Sequence, residues 1–168
     1  MPSPVLDRAM ELAHVDLSPR HRVPSAIAVA VATVASLVLC LLADWLLAKA
    51  AVAIFPATKG YVHFRFSDYS KLTIIGVIIA CIAWPIVARV TSDPRWVFFR
   101  LAILVTIVLL LPDLYIWVKG QSGQAVLFLA CMHLAIALIT YNVLVHVAPV
   151  RELGSHRRHG DASHDYGD

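Results

Sequence analysis

The sequence predicts an all-α membrane protein, a four-transmembrane-helix bundle running up-down-up-down with both termini in the cytoplasm. Three observations carry that prediction. The 168 residues are 60% hydrophobic and only 15% charged, whereas a soluble domain of this size is about 45–50% apolar. Four apolar blocks are each long enough to cross a hydrocarbon core of about 30 Å, which takes about 20 helical residues. The basic residues divide unevenly between the two sides that those blocks define.

The first block runs without a charge from Ala26 to Ala43 and extends to about Ala48. Its uncharged run of 18 residues is longer than the 7–15 of a cleaved signal's apolar region, so it is read as a span. The second span covers about 71–90, the third 94–118 and the fourth 124–147. Together they form a membrane domain over residues 25–148, with an external loop at 49–70. Residues 1–24 form a cytoplasmic N-terminal segment and 149–168 a cytoplasmic tail. Each block is apolar all round rather than striped, as expected of a helix surrounded by lipid.

Orientation follows from the Lys and Arg count. Arg8, Arg20, Arg22, Arg89, Arg95, Arg100, Arg151, Arg157 and Arg158 fall on one side, and Lys49, Lys59, Arg65, Lys71 and Lys119 on the other. Nine against five places the first side, and with it both termini, in the cytoplasm by the positive-inside rule. The expected location is the inner (plasma) membrane.

The connections are informative too. In the N-terminal segment, Ser3 and Pro4 suit a helix start, and Leu6, Met10, Ala13 and Leu17 fall on one face, the pattern of a helix lying on a leaflet. In the external loop Val62, Phe64 and Phe66 alternate with Tyr61, His63 and Arg65, the period of a strand. Its aromatic content makes Tyr61, Phe64, Arg65 and Phe66 the candidate docking residues, with interfacial anchoring by aromatics as the simpler reading. Asp93 and Pro94 suit an N-cap and first helical position, which makes the second and third spans antiparallel neighbours. Gly120 can end the third span in a left-handed conformation. The tail places His156, His159 and His164 among Asp161, Asp165 and Asp168 in no spacing that defines a zinc site.

Ionisable groups at membrane depth are costly and are functional suspects. Asp44, Asp113 and His133 qualify. At 1.5 Å per residue Asp113 lies roughly 8 Å inside the outer boundary, Asp44 slightly less and His133 roughly 13 Å. If the bundle turns them inward they form one polar cluster. A carboxylate pair beside a histidine can carry a proton. The same groups can instead fasten helices together by hydrogen bonds, and the closeness of the aspartates to water favours that role. Asp44-Trp45 leading to Lys49 is echoed by Asp113, Tyr115 and Trp117 leading to Lys119, a pattern that an aromatic belt with snorkelling lysines produces. Prolines at 85 and 112 are expected to kink their spans.

Several chemistries are excluded. Cys40, Cys81 and Cys131 all lie inside spans without a C-x-x-C pair, which suits packing and not disulfide exchange. No glycine-rich phosphate loop, metal-ligand spacing or nucleophile–base pair stands out, so no catalytic residue, cofactor, metal or nucleic-acid partner is expected.

Cys131-Met132-His133-Leu134 in the last span and Leu111-Pro112 in the third resemble the signature of a small four-span integral membrane family of actinobacteria whose function is unknown. The resemblance covers about residues 25–148 and implies fold and location only; the aromatic loop and Asp113 depart from it. The expected function is that of a non-enzymatic accessory or scaffold subunit, acting through helix packing and the external loop on a membrane-protein partner within the lipid bilayer. The alternative is a small proton-coupled transporter or channel-like homo-oligomer using Asp113 and His133.

Overall fold

The computed structural model describes residues 21–152; the expected N-terminal interfacial helix and His-rich tail lie outside the described residues. Four long helices account for most of them: α1 (Ala26–Ile54), α2 (Phe66–Val90), α3 (Pro94–Val118) and α4 (Gly123–Val147). All four are long and apolar enough to cross a membrane, which makes this a multi-pass membrane protein.

Each boundary has a local cause. Ser25 is extended, and its hydroxyl accepts the Ala28 N–H at 3.2 Å, satisfying one of the donors that a helix start leaves free. α1 continues past its expected end near Ala48 to Ile54, because nothing from Lys49 to Ile54 breaks a helix. Asp93 caps α3 by accepting the Trp96 N–H at 3.4 Å, and Pro94 occupies the first helical position. After α3, Gly120 adopts a φ of +91°, which a side chain would resist. α2 and α3 run unbroken through Pro85 and Pro112.

The connection between α1 and α2 departs from the expected strand. Val62–Phe64 forms a 3-10 turn, a second such turn covers Pro56–Thr58, and Phe66 already starts α2. A lone strand here has no neighbour to satisfy its backbone. The chain instead closes turn after turn on itself: Thr58 N–H to Phe55 O, Tyr61 N–H to Thr58 O, Phe64 N–H to Tyr61 O and Asp68 N–H to Arg65 O, all between 2.9 and 3.1 Å.

α1 packs most extensively on α4, α4 also on α3, and α2 on α1, while α1 and α3 hardly touch. The buried face of α1 is Ala32, Ser36, Cys40, Asp44, Ala48 and Ala51. Recurring at four-residue spacing up to Ala48 and at three to Ala51, these short side chains lie on one face and let a neighbouring backbone approach closely. The core proper joins Ala32 and Cys40 to Val77, Trp84, Phe98 and Leu144. Trp84 is fully buried and donates from Nε1 to the Ala148 carbonyl at 2.8 Å. Its ring meets Phe98 edge-on at 5.1 Å. Two short strands, β1 (His21–Arg22) and β2 (Arg151–Glu152), pair antiparallel with His21 opposite Glu152. They join the entry of α1 to the exit of α4. In contrast, α3 buries only Pro94, Phe98, Thr106 and Asp113 and turns most of its apolar surface outward, where lipid can solvate it.

Candidate functional site

Near the α1–α2 loop the helices carry the chain's polar membrane-depth residues, and the fold sorts them into two pairs. Asp44 is completely buried on α1. It does not bond to His133. Its Oδ2 accepts the Thr73 hydroxyl from α2 at 2.6 Å, near the short limit for an O–H···O bond, while its Oδ1 is buried without a partner. His133, on α4, remains within electrostatic reach of Asp44 but sits directly against α3, with Nδ1 3.1 Å from Asp113 Oδ2.

The second pair is a close contact and not an aligned hydrogen bond. The His133 Nδ1 also lies 3.0 Å from the Leu129 carbonyl on its own helix. A carbonyl can only accept, so in the tautomer protonated at Nδ1 the N–H is directed there. Asp113 Oδ2 is therefore left buried without a hydrogen-bond donor. Protonation of the imidazole converts the contact into a charged pair.

The sequence reading grouped Asp44, Asp113 and His133 as one cluster in which either aspartate could meet His133; the structure sets Asp113 against His133 and gives Asp44 to Thr73, a residue that reading did not name. Thr73 belongs to a row with Val77 and Cys81 on the buried face of α2, and an i, i+4 polar entry in that row was the available signal. Further toward the opposite end, Cys40 Sγ lies 3.5 Å from Thr140 Oγ1 and 3.9 Å from the Ile136 carbonyl. Ser36 Oγ, fully buried one turn from Cys40, finds no partner. Among the described residues no three His, Cys, Asp or Glu side chains gather as a metal site.

The candidate docking residues divide as well. Tyr61 and Phe64 pack edge to face at 5.2 Å, and Tyr61 also meets the His63 ring at 5.3 Å. The Tyr61 hydroxyl is buried without a partner. Burial pushes its phenol above the ordinary tyrosine range, and the Asp113 carboxylate adds to the shift. Arg65 and Phe66 face outward. Phe64 and Phe66, with Trp45, Ala48, Lys49, Val52 and Tyr69, line a groove of about 270 Å³ between α1 and the start of α2. Lys49 stands over the Trp45 ring at 5.8 Å and Lys119 over Tyr115 at 5.5 Å, an i, i+4 cation–aromatic contact in each case.

The model described as Family of unknown function (DUF6069) matches residues 17–149, most of the chain. The chain belongs to that family. No curated protein and no solved structure matches it. The matched stretch contains all four helices, the Asp44–Thr73 and Asp113–His133 pairs and the aromatic groove.

Proposed function

We propose that this DUF6069 chain is a non-enzymatic accessory or scaffold subunit of a plasma-membrane complex, built as an up-down-up-down bundle with cytoplasmic termini. The observation that carries the reading is how the polar groups are spent. Asp44 joins α1 to α2, Asp113 joins α3 to α4, Cys40 joins α1 to α4, and Trp84 joins α2 to the exit of α4. Each contact fastens one helix to another. Trp84, Val77 and Leu144 are fully buried in one apolar core. The outward apolar faces of the helices and the aromatic loop are the surfaces able to meet a partner. The pairing of β1 with β2, and the meeting of Trp84 with both Phe98 and Ala148, support the alternating helix directions. The excess of Arg at that end supports its cytoplasmic side. Extraction of the full chain in native lipid, followed by mass spectrometry, tests the reading. A stoichiometric foreign subunit is expected; a lone homo-oligomer counts against it.

A second reading, a proton-coupled transporter or channel-like homo-oligomer, is favoured by one observation. Asp44 Oδ1 and Asp113 Oδ2 are both buried without a hydrogen-bond partner, and His133 stands within reach of both carboxylates. Buried acceptors left open on either side of an imidazole suit a proton that moves. A proton flux by reconstituted protein that His133→Gln abolishes would replace the accessory reading with this one.

A further inference from the structure

The groove beside the α1–α2 loop shares Phe64 and Phe66 with the aromatic loop of the accessory reading, and its division of character points to a more specific occupant. Its walls are Trp45 and Val52 of α1, Phe64 of the loop, and Phe66 and Tyr69 of α2. Its one cation is Lys49, held over the face of Trp45. The flanking stretch adds Lys59, Arg65 and Lys71 against the single acid Asp68. Lys49 lies five residues before the end of α1, roughly 8 Å along the helix axis. Aromatic side chains with lysines at such a level mark the membrane–water boundary.

We propose that this groove is a binding site for an anionic phospholipid, whose acyl chain lies between the aromatic walls while its phosphate meets the Lys49 ammonium. Charge complementarity selects this occupant. A zwitterionic lipid offers the same chain but cancels part of the attraction, and the basic excess of the stretch acts on net charge. At about 270 Å³ the groove is just below the range of about 300–1,000 Å³ for drug-sized ligands, which suits one segment of chain and not a whole molecule. The site is independent of whether the bundle acts as a scaffold or as a transporter.

Trp45 provides the readout. The full chain is reconstituted in vesicles containing equal fractions of phosphatidylglycerol and phosphatidylcholine, with brominated chains on one lipid or the other. The quenching lost on Trp45→Phe isolates the share of Trp45 from that of the other tryptophans. That share is expected to be larger with brominated phosphatidylglycerol. The preference is lost in Lys49→Gln and kept in Lys49→Arg, which also controls for folding. Equal quenching by both lipids, or a preference that survives Lys49→Gln, overturns the proposal. Absence of quenching by either lipid means that a protein surface covers the groove, and overturns it as well.

Discussion

Replacing Thr73 with Val keeps the shape of the side chain and exchanges for a methyl group the hydroxyl whose hydrogen bond Asp44 Oδ2 accepts at 2.6 Å. Because Oδ1 already lacks a partner, the variant leaves the whole buried carboxyl without a hydrogen bond. A buried polar group abandoned in this way costs about 1–3 kcal/mol, whereas interhelical hydrogen bonds in membranes average about 0.6 and reach about 1.7 kcal/mol. Complete burial and short length put this bond at the upper end, so the expected loss is about 1.5–2 kcal/mol, a change of about 10- to 30-fold in the unfolding equilibrium. Denaturant unfolding of the purified full chain in bicelles measures it. Thr73→Ser should recover most of the loss, and in an Asp44→Ala background Thr73→Val should cost less than about 0.5 kcal/mol, since the acceptor is gone. If Thr73→Val is as stable as Thr73→Ser, the Asp44–Thr73 bond does not fasten α1 to α2 and the argument for polar fasteners fails.

Trp84→Phe removes the bond to the Ala148 carbonyl while keeping an aromatic ring against Phe98; a loss of about 1 kcal/mol and faster hydrogen exchange across residues 148–152 are expected. His133→Gln should leave stability within about 1 kcal/mol of the parent, because Gln can still donate toward Leu129 or Asp113, and the same unfolding assay reads this. Tyr61 should ionise above the ordinary tyrosine value of about 10, seen as the phenolate absorbance missing from a Tyr61→Phe variant. Since its phenol is raised in the folded loop, the stability it contributes is fully present below the unfolded value and is lost as pH climbs through the folded one. The loop should therefore hold at neutral pH and loosen only in strong alkali, which limited proteolysis across residues 55–65 can follow.

The four helices were legible because lipid imposes the same requirement on every residue of a span: enough consecutive apolar side chains to cross it. Asp93-Pro94 and Gly120 were legible for a different reason, since an N-cap and a left-handed residue are properties of the local backbone. The alternation at Tyr61–Phe66 misled, because a period of two indicates a strand only when another strand lies beside it, and here successive turns satisfy the backbone locally.

From the sequence by itself came the spans, the short turns and the suspicion attached to Asp44, Asp113 and His133, all of which depend on composition and position along the chain. Tertiary structure alone decided that Asp44 goes to Thr73 and Asp113 to His133, because which face of a helix points inward is set by its neighbours when every face is apolar. It also decided that Lys49 shares a groove with Phe64 and Phe66. Those residues are separated in sequence by the turns of the loop and meet only because α1 and α2 pack side by side.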